Sequence, residues 1–234
     1  MKGRLFDAER LQQSCWHADA AVWGDAIAIQ EFASFDFVNG DISHRVFRKG
    51  EGPGVVIIHE LPGMTTACIS LAEAVANTGF CVHLPLLFGT PGDDRPIAFT
   101  AKLCISREFR VFSKKGGSPI VEWLRALCRK IKADCEGPGV GAIGLCLTGN
   151  FAIALMADDS VLAPVASEPA LPLFSLTKSA KAAIAVTDDE FARAQARSIN
   201  GVPLIVCAFL VIGSAHQNAL QRFGTRLDQA SAGS

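Results

Sequence analysis

A chain of 234 residues, half of them hydrophobic and with a formal net charge of −1, can bury one sizeable core and is too apolar to be disordered. The near-neutral balance contains no basic block, which excludes nucleic acid and anionic membrane surfaces as partners of the usual electrostatic kind. No secretory apolar stretch follows Lys2 and Arg4, and the longest late apolar run, Val202 to Ile212, is too short to span a bilayer; a cytoplasmic protein without membrane contact is expected.

Eight cysteines occur at positions 15, 68, 81, 104, 128, 135, 146 and 207. None forms a C-x-x-C pair and no His/Cys cluster has zinc spacing, so reduced packing thiols are expected, with no metal and no cofactor. Residues 1–34 show no single apolar face and read as an N-terminal extension, either a loosely docked helix or a disordered segment, ahead of one domain over 35–234.

From Phe35 the pattern is strand-like. Phe35 to Val38 and Ile42 to Phe47 flank Asn39-Gly40-Asp41, the signature of an antiparallel hairpin. Val55 to Ile58 is wholly apolar, as parallel strands buried on both faces are. It ends in His59-Glu60-Leu61-Pro62-Gly63. A carboxylate at the mouth of a buried strand is costly unless paired or used; a solvent-facing Glu60 is the alternative. Met64 to Asn77 reads as a helix stopped at Gly79, and Phe80 to Leu84 as a second parallel strand in which His83 is a satisfied core histidine.

Residues 87–100 form a turn-rich loop of the kind that walls a pocket, and Ala101 to Phe112 reads as partly helical. Ser118-Pro119 opens the clearest amphipathic helix, with Ile120, Val121, Leu124, Leu127, Cys128 and Ile131 on one face. Glu136-Gly137-Pro138-Gly139-Val140 then echoes Glu51-Gly52-Pro53-Gly54-Val55, a Gly/Pro turn feeding a buried strand in both cases. If the two strands share a parallel sheet, Glu60 and Cys146 emerge at the same carboxyl edge, where open α/β sheets bind ligands.

The stretch Gly144-Leu145-Cys146-Leu147-Thr148-Gly149 has the form of a strand, a sharp turn carrying a nucleophile, and a helix. Small residues must flank a strained turn, and a helix N-terminus favours a thiolate placed on it. The competing reading of Cys146 is a buried packing thiol. Downstream, Val161 to Ala166 is a strand that Pro164 and Pro169 soon end, Thr187 to Glu190 is a capping box opening a helix to about Ser198, Val202 to Leu210 is a further strand, and His216 to Leu227 a last helix. The alternation predicts a doubly wound, mostly parallel α/β sheet with helices on both faces.

These residues resemble the dienelactone hydrolase family of α/β-hydrolases. The motifs that carry the resemblance are Gly54 to Gly63, the Leu87-Phe88-Gly89-Thr90-Pro91-Gly92 loop, Ser106-Arg107-Glu108-Phe109 and the Gly144 to Gly149 elbow, across about residues 35 to 210. The resemblance implies an α/β-hydrolase-type fold and hydrolysis of a small ester or lactone by a Cys146 nucleophile. It makes Glu60 the carboxylate that contacts the resting thiol, and the backbone N–H groups of Leu61 and Leu147 the oxyanion hole. Arg95 and Arg107, on or near pocket loops, are candidates to hold a substrate carboxylate, with a solvated surface role as the alternative.

A Cys-His-acid triad also needs an acid after the strand ending near Phe209 and a histidine on a later loop. Leu210 to Ser214 carries no acid, and the one histidine after the elbow, His216, opens a predicted helix. His216 is therefore the only candidate base, and the fold is expected to be C-terminally incomplete. The alternative function is a truncated, catalytically impaired homologue that keeps a small-molecule pocket. A monomer is expected, with a dimer as the alternative.

Overall fold

The computed structural model describes residues 29–60, 63–93, 118–169 and 187–207. Strands β1 (Ala33–Asn39), β2 (Ile42–Lys49), β3 (Pro53–Ile58), β4 (Cys81–Pro85), β5 (Glu136–Leu145), β6 (Val161–Ser167) and β7 (Ile205–Cys207) form one sheet. Helices α1 (Thr66–Ala76), α2 (Pro119–Asp134), α3 (Gly149–Leu155) and α4 (Asp188–Ile199) connect or follow them, and single 3-10 turns occupy Ile29–Glu31 and Cys146–Thr148. The strand order is β1-β2-β4-β3-β5-β6-β7. β1, β2 and β4 pair antiparallel, and β4, β3, β5, β6 and β7 run parallel.

The hairpin follows the Asn-Gly signal. Asn39 faces Ile42 across a two-residue loop, and Gly40 takes φ 60°, a conformation open to glycine at little steric cost. The apolar runs become the parallel strands because both of their faces are covered. Val56, Ile58, Val140 and Ala142 pack under Trp123 and Phe151 of α2 and α3. Val55, Ile57, Val82 and Leu84 pack on the opposite side with Ile69 of α1. The expected helices on both faces are present. Phe32, just before β1, is buried in the α1-side core.

Local sequence sets the helix ends. Thr65, not Met64, precedes the first turn of α1, and its hydroxyl accepts from Cys68 N at 3.1 Å. Pro119 sits in the first turn of α2, where its missing N–H costs nothing. The capping box forms as expected at Thr187, and Glu190 also reaches Arg125 at 2.8 Å. Arg125 donates to Ala154 O at 2.9 Å, so one buried guanidinium joins α2, α3 and α4. The echoed Gly/Pro turns are a real structural match: Gly52 and Gly137 both adopt φ 100°, and Pro53 faces Glu136.

Two boundaries differ from expectation. β6 passes through Pro164 and ends at Ser167, one residue beyond the expected Ala166. β7 pairs only with Val165, Ala166 and Ser167, so the donor that Pro164 lacks removes no ladder bond to that neighbour. β7 starts at Ile205 rather than Val202, as Pro203 has no N–H to give a ladder. The N-terminal segment 1–28, the expected helices at 101–112 and 216–227, and residues 208–210 of the expected last strand lie outside the described residues. Among the described residues no helix is long and apolar enough to cross a membrane.

Candidate active site

β5 delivers its last residue, Leu145, to a turn in which Cys146 has φ 53°. A side chain in this left-handed region costs about 1–2 kcal/mol, so surrounding contacts must enforce it. They can be named. A Cβ on Gly144 would lie 2.3 Å from Thr148 O, so the chain can fold back on itself only because that residue has no side chain. Gly149 approaches Pro169 so closely that a Cβ would stand 2.9 Å from its Cα. The fully buried Thr148 hydroxyl accepts from Leu145 N at 3.0 Å and lies 2.8 Å from Ile58 O and 2.9 Å from Leu145 O, to either of which it can donate. One hydroxyl thus fastens the elbow to itself and to the end of β3. Cys146 is half-buried and in no disulfide.

Glu60 reaches the same edge by register. Ile58 of β3 faces Gly144 of β5, so Glu60 and Cys146 each lie two residues beyond one ladder pair. The sheet therefore brings these two sequence-derived candidates to a common carboxyl edge. Glu60 is half-buried and accepts a 2.8 Å hydrogen bond from the Thr65 hydroxyl. The cap of α1 thus fixes the carboxylate as well as the helix. The Cys68 thiol behind it is pushed well up, first by burial and then by the Glu60 charge, and stays protonated.

His59 supports Glu60 from within. It is fully buried, its Nε2 accepts from Leu87 N at 3.1 Å, and its Nδ1 lies 3.1 Å from Glu60 O. An Nε2 that accepts leaves the proton on Nδ1, which then donates to Glu60 O. Phe88 closes edge-on over the ring at 4.4 Å. Burial pushes the His59 pKa down to about 4, the Glu60 carbonyl opposing only in part. Its folded value lies below the unfolded 6.5, so its stabilisation is full above pH 6.5 and fades as pH falls towards 4. His83, also lowered by burial to about 4, acts in the same direction. We expect the urea midpoint to fall steeply between pH 6.5 and 4, with about 3 kcal/mol at stake for each ring. An equal midpoint at pH 7 and pH 4.5 would contradict neutral rings.

A second carboxylate, missed in the sequence, stands at this edge. Leu145 faces Ser167 of β6, and the next residue, Glu168, has φ 49°. Cys146 and Glu168 are the two non-glycine residues with positive φ among those described, and both follow directly on a ladder pair at the carboxyl edge. Glu168 N donates to Cys207 O at 2.7 Å, which holds the conformation. Glu168→Gly should raise stability by up to about 1 kcal/mol, the left-handed penalty less the greater entropy of glycine. A thermal melt checks this, and a destabilised variant would show that the carboxylate makes a compensating contact.

Leu147 N follows the elbow within the 3-10 turn. Leu61, Arg95, Arg107 and His216 lie outside the described residues. Each of the three described histidines is engaged elsewhere: His44 edge-on against Trp123 at 5.1 Å, His59 through both ring nitrogens, and His83 within β4 against Phe35. Sequence reasoning assigned no role to His59, Thr65, Thr148 or Glu168. Only Thr65, three residues before Cys68 at a helix start, carried a local signal.

The model of the dienelactone hydrolase family matches residues 44–195. No curated protein matches the chain. Among solved structures, a candidate dienelactone hydrolase from Klebsiella pneumoniae is similar with a TM-score of 0.51 at 14% identity, over 85% of this chain and 98% of that one. The structure named m3DLH gives a TM-score of 0.50 at 17% identity, over 84% of this chain and 77% of that one. At such identities the structural likeness is one of fold, the α/β-hydrolase fold. With the family match spanning most of the sheet and the elbow, the chain belongs to the dienelactone hydrolase family of hydrolases.

Proposed function

We propose that the protein hydrolyses a small ester or lactone through Cys146. The observation that carries this is the enforced φ of 53° at a cysteine on a strand-to-helix turn, at the sheet edge shared with Glu60. The Cys146 thiolate attacks the carbonyl carbon, and the oxyanion takes hydrogen bonds from the N–H groups of Leu147 and Leu61. Collapse expels the alkoxide, which takes up a proton, and leaves a thioester. Water then cleaves the thioester to release the carboxylate and return the thiol. Glu60, held by Thr65 and by His59 through its carbonyl, is the carboxylate that steers the resting thiol. Arg95 and Arg107 would hold an acidic substrate, and His216 would act as base.

A second reading rests on the described histidines, all of them engaged away from the elbow. Without an imidazole at the thiol the protein is a slow hydrolase, or binds its ligand without turnover. Hydrolysis of p-nitrophenyl acetate and of a dienelactone, compared with Cys146→Ala, tests the first reading. Equal rates for the two proteins would sink it, and tight lactone binding without turnover would establish the second.

A further inference from the structure

At the opposite end of the parallel strands, three potential ligands from two segments converge. Cys81 and His83 sit two residues apart on β4, so their side chains share one face of the sheet. Cys135 terminates α2 just before β5. One ligand atom from each lies within 4.8 Å of the others. A tetrahedral zinc with ordinary Zn–S and Zn–N bonds spaces its donors by about 3.5–3.8 Å, so the donors need to close by at most about 1.3 Å. Cys81 and His83 are buried and Cys135 is half-buried, which leaves an entry side.

One neighbouring side chain is arranged for this group. Arg48, facing His83 across β2 and β4, donates from Nε to Cys81 Sγ at 3.0 Å. Such N–H to sulfur contacts are what outer partners of a thiolate ligand supply. His83 Nδ1 lies 3.2 Å from Cys81 O, which leaves Nε2 to face an ion. Asp134, paired with Lys130 at 2.6 Å, acts on both His83 and Cys135.

We propose that Cys81, His83 and Cys135 bind a zinc ion, with water completing the tetrahedron and Arg48 donating to the Cys81 sulfur. Two thiolates neutralise the ion, and each releases its proton to solvent on binding. The site is remote from Cys146 and ties the start of β4 to the junction of α2 and β5. It departs from the sequence expectation of no metal because Cys135 is distant in sequence and reaches β4 only through the fold.

The test uses the full chain carrying Cys146→Ser, reduced and stripped with chelator, titrated with cobalt(II) chloride alone and then with zinc chloride. The expected result is a thiolate-to-cobalt charge-transfer band in the near ultraviolet that saturates at one equivalent and is bleached by zinc. Cys135→Ala, at a half-buried position, should keep the far-ultraviolet dichroism and lose the band, and Arg48→Ala should weaken affinity by about 10–100-fold. No band, a band unchanged in Cys135→Ala, or a Cys81–Cys135 disulfide forming in air in place of metal uptake overturns the proposal.

Discussion

Cys146→Ala should abolish ester hydrolysis, lowering kcat by about 10⁴-fold or more while leaving the fold intact. The size follows from what remains: oxyanion-hole donors and binding alone keep only a residual rate when a nucleophile is removed. The intact fold follows from the geometry. Alanine meets the same left-handed penalty at φ 53° as cysteine does, so the exchange changes little beyond the sulfur. Cys146→Ser adds a diagnostic. A thiol is a few per cent thiolate at neutral pH without help, whereas a serine hydroxyl depends wholly on a base. If serine is as inactive as alanine, the native enzyme runs on the thiolate alone. A serine variant retaining a tenth of the rate would reveal a working base, with His216 the first place to look. Acyl-enzyme mass, read after mixing with p-nitrophenyl acetate, should appear only in the native protein.

Gly144→Ala should damage activity more than any other single methyl group at the elbow. The new Cβ would meet Thr148 O at 2.3 Å, Thr148 C at 2.8 Å and Gly149 Cα at 2.9 Å, all backbone, so no side chain can turn aside. The turn itself must open. Overpacking of this kind costs about 1–3 kcal/mol. Moving the Cys146 sulfur by about 1 Å costs on the order of 10²-fold in rate. Gly40→Ala is the contrasting control: its φ of 60° imposes strain, but nothing lies within 4 Å of the new methyl. It should lower the melting temperature and leave kcat alone. If Gly144→Ala retains full activity, close packing beneath the elbow is not what positions Cys146.

The architecture was readable wherever a local rule fixes it. Asn39-Gly40 dictated a hairpin, Ser118-Pro119 a helix start, Thr187 and Glu190 a capping box, and the apolar runs at 55–58 and 81–84 strands covered on both faces. Strand register was beyond reach, because pairing Ile58 with Gly144 depends on contacts remote in sequence. So Glu60 and Cys146 could each be singled out by type and motif, while their meeting at one edge could be stated only conditionally. Pro203 moved the start of the last strand from Val202, where its apolar pattern put it, to Ile205, because a proline gives a ladder no N–H. The positive φ of Glu168, the His59 tautomer and the triple role of the Thr148 hydroxyl have no local signature at all. Each is settled by a partner that only the folded chain supplies.

Glu190 divides its two oxygens between unlike tasks. Oε2 accepts from Thr187 N at 2.9 Å, and Oε1 accepts from Arg125 at 2.8 Å. Starting α4 and docking it on α2 and α3 therefore draw on the same carboxylate. The N-terminal cap of α4 and its docking on the buried cation thus share one side chain, and that cation also holds the Ala154 carbonyl of α3, the helix that follows the elbow. One substitution, Glu190→Ala, therefore removes a helix cap and leaves a buried guanidinium short of its carboxylate. The same loss reaches the helix behind the elbow, because Arg125 is also what holds the Ala154 carbonyl.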